Sequence, residues 1–280
     1  MRSFRHIARY LLLSVSTLLV AACATPPTEE TKPVQEPTKF ISQGLNTSHP
    51  LLLEMSWQIQ YTGDMDYSLD VDMYNLDLFD TDTSEINSLK ERGVYVICYF
   101  SAGSYEDWRN DAKDFPESVL GNPMEGWEGE TWLDIRQIPS LKPIMEHKLD
   151  MAVNKGCDGV DPDNVNGYEN DTGFPLTYDD QVAFNRFLAD AAHERGLTIG
   201  LKNDINQIND LLPYFDWELN EECFSFDECD LLLPFIQAGK PVFVIEYKLP
   251  PQEFCGQANQ LGFNAIKKNW ELDAFRVPCR

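Results

Sequence analysis

Two carboxylates stand two residues apart in "GCDGVDPDNVNGY", residues 156–168, where a short apolar run gives way to Asp161, Pro162, Asp163 and Asn164. Side chains at i and i+2 of a strand leave from the same face. Asp161 and Asp163 therefore crowd one site if the extended backbone persists through Pro162. Such crowding serves a metal, an acid/base pair, or only a solvated turn. Close carboxylates also raise one another's pKa, since each like charge disfavours ionisation of the other. A second acidic stretch, "FDWELNEE" at 215–222, carries Glu218, Asn220, Glu221 and Glu222. Alternation opposes Glu221 to Glu222, so one of the two points into a given site, and alternation alone does not decide which. Glycoside hydrolysis needs such a pair: one carboxyl protonates the leaving oxygen and the other attacks or activates water.

Other chemistries lack their residues. The four histidines, at 6, 49, 147 and 193, form no HExxH. "SAGS" (101–104) lacks the G-x-S-x-G elbow of a serine hydrolase, and no G-x-G-x-x-G opens a dinucleotide site. "DPDNVNGYEN" (161–170) resembles a calcium loop, but Val165 and Asn166 stand where that template wants an oxygen ligand and glycine. The cysteines have no CxxC spacing for zinc. Neither metal nor cofactor is expected.

The elements that must position the acids are short apolar runs at 53–60, 68–75, 93–100, 156–163, 197–203, 215–222, 241–247 and 262–268, separated by helix-like stretches. "TSEINSLKERG" offers a Thr cap, early acid, late base and a terminal Gly. "TYDDQVAFNRFLADAAHERG" repeats that plan, with Val182, Phe184, Phe187, Leu188 and Ala191 as an apolar stripe. Eight strands alternating with helices predict an α/β fold, a (β/α)8 TIM-type barrel in a single domain over 49–280. A doubly wound open sheet is the alternative. Active residues in such a barrel sit at the strands' C-terminal ends. The candidates there are Gln58 and Gln60, Asp72, Tyr99 and Ser101 with Tyr105 beyond, Asp161, Asp163 and Asn164, Lys202, Asn203 and Asp204, Asn220 and Glu221, and Glu246 and Tyr247. With Trp57 and Trp108 the aromatics complete a sugar-like mouth: rings stack on sugar faces while acids and amides bind hydroxyls.

Residues 1–22 carry Arg2, Arg5 and Arg9 before "LLLSVSTLLVAA", the layout of a secretory leader. "LVAAC" resembles a lipobox, with Cys23 the lipidated first residue and Ala24 favouring the outer membrane; an ordinary cleaved leader is the other reading. "ATPPTEETKPVQEPTK" has too few apolar side chains to offset ordering, so 23–48 reads as a linker. The formal charge is −24, and losing the leader removes three Arg and no acid, giving −27. Nucleic acid is a poor partner for that field, and the membrane is approached through the lipid only. Six cysteines remain for an exported chain. Cys223 and Cys229 are expected to pair, Cys255 and Cys279 are placed to tie down the tail, and Cys98 and Cys157 read as buried thiols.

"WQIQ", "CYFSAGSYEDWR", "WLDIR", "GCDGVDPDNVNGY", "GLKND" and "NEECFSFDEC", in order across about 50–268, resemble the endo-α-1,4-polygalactosaminidase family, glycoside hydrolase family 114. The resemblance implies a (β/α)8-type barrel that cleaves galactosamine-containing exopolysaccharide, with the strand-four Asp at Asp163 and the strand-six Glu at Glu221. That family often has Asp where this chain has Asn166. On this basis Asp163 is the expected nucleophile, Glu221 the acid and then base, Asp161 a sugar-binding or field-setting neighbour, and Lys202 the group that keeps Asp163 ionised. The expected partner is the polymer, taken by a monomer; a cationic, partly deacetylated chain suits the acidic balance. The alternatives are an envelope lipoprotein that binds polysaccharide without cutting it and one with no sugar site.

Overall fold

The computed structural model describes residues 51–280; the expected leader, Cys23 and the linker lie outside the described residues. In chain order the elements are β1 Trp57–Gln60, β2 Met73–Asp77, α1 Thr83–Glu91, β3 Tyr95–Ser101, β4 Ser104–Glu106, β5 Leu120–Pro123, β6 Glu130–Leu133, α2 Ile138–Lys155, β7 Gly159–Asp163, α3 Tyr178–Glu194, β8 Thr198–Lys202, α4 Ile208–Leu211, β9 Trp217–Glu221, α5 Cys223–Phe226, α6 Leu233–Gln237, β10 Val242–Glu246, α7 Pro251–Leu261, β11 Asn264–Lys267 and β12 Val277–Pro278. One sheet runs β1-β2-β3-β7-β8-β9-β10-β11-β12, and a small one β4-β6-β5. In the large sheet every ladder is parallel except β11–β12.

The parallel strands follow the eight apolar runs, with one displaced boundary. The second run was expected at 68–75, but β2 begins at Met73. Asp72 is spent ahead of it: its Oδ2 accepts from Ser56 N and Ser56 Oγ, each at 2.7 Å. Helix starts follow local chemistry. Glu85 accepts from the backbone of Asp82 at 3.0 Å, so Asp82, one residue before the expected Thr83, caps α1. Thr177 and Asp180 form the same reciprocal box at α3. Among the described residues no helix separates β1 from β2, and the three-stranded β4-β6-β5 sheet is inserted between β3 and α2.

The large sheet curls, so that its two ends share a core. Trp57 and Ile59 of β1 pack with Met73, Tyr95, Ile97, Trp217, Leu219, Phe243, Ile245 and Ile266. No ladder joins β11 to β1 among the described residues. Side chains cross there instead: Trp57 Nε1 donates to Asn264 O at 2.8 Å, and Lys268 Nζ to Gln58 Oε1 at 3.1 Å. Trp217 fills the interior because Gly200 leaves room; a Cβ at Gly200 would meet the indole at 2.4 Å. The other face, with Leu76, Val96, Cys98, Val160, Ile199 and Val244, packs under Ile86, Leu149, Phe184, Leu188 and Phe254 of the helices.

Three disulfides are present: Cys223–Cys229, Cys255–Cys279 and Cys98–Cys157. The last corrects the expectation of buried thiols. Cys98 lies on β3 and Cys157 just ahead of β7, and the two strands are neighbours. Closing loops of 59, 24 and 6 residues contributes about 4, 3 and 2 kcal/mol by chain entropy. Paired Cys→Ala variants should therefore lose stability to urea in the order Cys98/Cys157, Cys255/Cys279, Cys223/Cys229. A Cys98/Cys157 variant as stable as the Cys223/Cys229 one would contradict this ranking.

Candidate active site

Alternation decides which side chains reach the mouth of the large sheet. Trp57, Ile59, Tyr95, Ile97, Trp217, Leu219, Phe243 and Ile245 face the inner core, so every second residue beyond them continues on that face. This brings Tyr61, Tyr99, Ser101, Glu221 and Tyr247 to the C-terminal ends of their strands. Asp161 and Asp163 of β7 and Lys202 of β8 join them.

Lys202 is the hub. Its side chain is 4% exposed, and Nζ lies 3.4 Å from Asp163 Oδ1 and 3.1 Å from Glu221 Oε2. Taken together, distances of 3.4 and 3.1 Å hold those two oxygens within 6.5 Å of each other. Burial alone would pull the Lys202 pKa down, but Asp163, Glu221 and Asp161 outweigh it and the value is raised. Burial would likewise raise Glu221, yet Lys202, the Tyr247 hydroxyl and Asn203 Nδ2 (3.1 Å) overcome it and hold the carboxyl below its ordinary value. Asp163 accepts from Tyr99 OH at 3.2 Å and from the backbone of Asn164 at 2.8 Å.

Asp161 is sealed beneath this pair. Its Oδ2 takes Asn75 Nδ2 at 2.7 Å and Tyr61 OH at 3.4 Å. Burial first, then Asp163, against the pull of Lys202, pushes its pKa up to about 6. Asp161 is thus fully buried and has no surface to offer a sugar.

Backbone strain gathers at the same strand ends. Asn164, Asn203 and Glu222 follow β7, β8 and β9 directly, and each has φ between 55° and 64°. That left-handed region is costly for residues with a Cβ, and Asn tolerates it best. The turns aim Asn203, which accepts from Glu221 N at 2.9 Å. Asn164 Nδ2 reaches Ser101 Oγ at 2.9 Å and Ser104 Oγ at 3.1 Å. Gly103 lets the inserted sheet close on this tip, for a Cβ there would lie 1.7 Å from Asn164 O.

A cavity of about 220 Å³ holds Asp163, Lys202 and Glu221, walled by Tyr61, Tyr99, Met124, Trp127, Glu130, Asn164 and Leu272. A second, of about 340 Å³, continues past Glu221 to Glu169, Asn206, Glu222, Phe226 and Glu228. Asn166, Asn203, Glu221, Tyr247 and Trp270 border both, so the two are halves of one open cleft.

The remaining expected site residues lie elsewhere. Gln58, Gln60 and Glu246 are fully buried on the opposite parity. Gln58 holds Ala274 O and Lys268, Gln60 the 62–66 turn, and Glu246 the backbone of Phe224 and Ser225. Asn220 and Asp204 border the second cavity but are almost entirely buried, and Asp204 is held by Asn185 at 2.8 Å. Burial, then Glu169, pushes Asp204 up to about 9, so it is a poor charged ligand. Asp72 precedes its strand, Trp57 is core, and Ser101 positions Asn164. Tyr105 packs on Phe115, outside both cavities, and Trp108 is exposed away from them. Sequence reasoning missed Tyr61, Trp127, Glu130 and Trp270. Trp127 and Trp270 stack with centroids 6.0 Å apart over the cleft. Only Tyr61, in phase with Ile59, carried a local signal.

With two carboxylates bridged by one buried ammonium at the floor of a cleft walled by aromatic rings, the geometry suits acid/base-assisted cleavage of a sugar. The model of glycoside-hydrolase family GH114 matches residues 41–280. The crystal structure of Aspergillus fumigatus Ega3 in complex with galactosamine is 41% identical, with a TM-score of 0.79, over 83% of this chain and 98% of that one. The glycoside hydrolase domain of PelA from Pseudomonas aeruginosa shares the fold at 15% identity, TM-score 0.63, over 79% and 97% of the two chains. An uncharacterized protein of Deinococcus radiodurans is 27% identical over 85% of this chain and 89% of its own.

Lys202→Met should cost about 3–5 kcal/mol at pH 7.5, because it strands the buried Asp161 and the half-buried Asp163 and Glu221 without their counter-charge. Glu221, with its lowered folded pKa, contributes stability above its unfolded value near pH 4.3 and loses it as pH falls. The deficit of the variant should therefore shrink in urea unfolding at pH 3.0, below that value. Equal deficits at both pH values would show that Lys202 acts through packing instead.

Proposed function

The chain belongs to glycoside-hydrolase family GH114, and we propose that this glycoside hydrolase cuts galactosamine-containing polysaccharide internally at α-1,4 linkages, on a (β/α)8-type barrel. The observation that carries this reading is the Lys202-bridged pair Asp163 and Glu221 in an open two-part cleft. Its support on the substrate side is the 41% identity to an enzyme crystallised with galactosamine. The formal charge of −24 favours a cationic polymer.

In the proposed reaction Asp163 attacks the anomeric carbon while Glu221 gives its proton to the glycosidic oxygen, and the leaving chain departs as an alcohol. Glu221, now a carboxylate, takes a proton from water as the resulting hydroxide displaces Asp163 from the sugar. Two inversions leave the anomeric configuration unchanged. Retaining enzymes hold their carboxyls about 5–5.5 Å apart and inverting ones about 6.5–9.5 Å; Lys202 keeps one oxygen of each carboxyl within 6.5 Å of the other, which is compatible with the retaining spacing. Protonating Glu221 also leaves the whole charge of Lys202 to Asp163. One observation favours a second reading with exchanged roles: Lys202, Tyr247 and Asn203 hold Glu221 ionised, as a nucleophile would be.

The same reading takes the protein out of the cytoplasm, where its disulfides persist, and anchors it to the outer membrane through lipid on Cys23. Cys23→Ala should release it into the soluble fraction; undiminished membrane association would remove the anchor. Asp163→Asn and Glu221→Gln should keep the fold and lower reducing-end release from galactosamine polymer by about a thousandfold or more. Proton NMR of the first product should show the α-anomer before mutarotation. Binding without cleavage by the wild type would return the protein to the non-catalytic polysaccharide-binding alternative.

A further inference from the structure

The acids near the cleft differ in whether the protein itself neutralises them. Asp163 and Glu221 share Lys202, Glu222 pairs with Lys248 at 3.1 Å, and Glu106 with Arg109 at 3.2 Å. Glu169 is solvent-exposed, so water serves it. Glu130 has neither remedy. It is only 7% exposed, it lines the cavity that holds Asp163, and among the described residues no Lys, Arg or His lies within ion-pair distance. Its hydrogen-bond donor is the neutral Ser104 hydroxyl at 2.7 Å. Directly opposite on β4 stands another acid, Glu106, an arrangement that costs stability.

Nothing in local structure demands an acid at this position. Thr131 and Trp132 extend β6 equally well, and β-strands disfavour Glu. The side chain is nevertheless held firmly. Ser104 is fixed by Ser101 and Asn164, and Gly103 seats the insertion on the β7 tip. Burial, aided by Asp163, pushes the Glu130 pKa up against the Ser104 bond and the more distant charges of Arg109 and Lys148, neither of which is within ion-pair distance. A positive ligand in the cavity would reverse that pressure. A sugar ammonium brings one charge, three donors and no acceptor, the complement of a carboxylate that lacks a cation.

We propose that Glu130 is a specificity-determining residue of the cleft: it pairs with the ammonium at C2 of a galactosamine unit and thereby selects the free amine over the N-acetyl group at that position. The proposal rests on the galactosamine reading of the site. Acetylation removes the charge and two of the donors, leaving Glu130 buried with no ion partner, which is how a polar site rejects an analogue.

The test compares wild type, Glu130→Gln and Glu130→Asp on defined galactosamine and N-acetylgalactosamine oligomers, with Kd from calorimetric titration and KM and kcat from reducing-end release. Glu130→Gln should raise Kd and KM for galactosamine oligomers about 10- to 100-fold, the worth of one charge-assisted hydrogen bond, while kcat stays within about threefold. Its preference for the free amine should narrow by the same factor, and Glu130→Asp should restore part of it. An unchanged preference, or a fall in kcat with Kd unmoved, overturns the assignment. Wild type that binds galactosamine oligomers but does not cut them would defeat the hydrolase reading alone, and Kd would still decide the role of Glu130. Wild type that does not bind them overturns both.

Discussion

The ammonium of Lys202 is the charge on which the site depends. Strand order makes its position unavoidable: β8 lies between β7 and β9, so the inward side chain at its tip stands between Asp163 and Glu221. At an effective dielectric near 20, each of those contacts is worth on the order of 5 kcal/mol before desolvation is charged against it. Without the ammonium, the buried Asp161 and the half-buried Asp163 and Glu221 would be three unneutralised carboxylates on the strands that flank β8. With it, Asp163 and Glu221 each hold an oxygen within 6.5 Å of the other.

The surroundings serve that triangle. Asn164, Asn203 and Glu222 take strained backbone conformations, so that the chain turns off each strand directly after Asp163, Lys202 and Glu221. Asn203 ties β8 to Glu221, and Asn164 ties β7 to the Ser101–Ser104 pair at the root of the inserted sheet. Trp127 and Trp270, from that insertion and from the loop after β11, roof a cleft whose floor is otherwise charged. The division of labour suits a polymer with an apolar ring face and ionic substituents.

Much of this was legible in strand parity. Asp161, Asp163, Lys202, Glu221, Tyr99 and Tyr247 all lie in phase with inner-core residues of their own or adjacent strands. Gln58, Gln60 and Glu246 are one residue out of phase and face the other way for that reason, and Asn220, also out of phase, is left almost entirely buried at the edge of the second cavity. Polar character at a strand end was therefore too loose a criterion. Depth misled at Trp57, which has the right parity but the wrong level, and a shifted boundary misled at Asp72. Trp127 and Glu130 had no local signal, because their place depends on how an irregular insertion docks. The Cys98–Cys157 bond required knowing that β3 and β7 are neighbours.

The central claim is that Asp163, held by Lys202, becomes covalently bonded to the sugar. A fluorinated galactosaminyl fluoride that slows the second step would trap that ester, and peptide mass spectrometry would locate it. The account requires one sugar on the peptide carrying Asp163, formed at the rate at which activity is lost. An adduct on Glu221 would exchange the two roles. Turnover of the reagent to an inverted product, with no adduct on either residue, would contradict the mechanism outright.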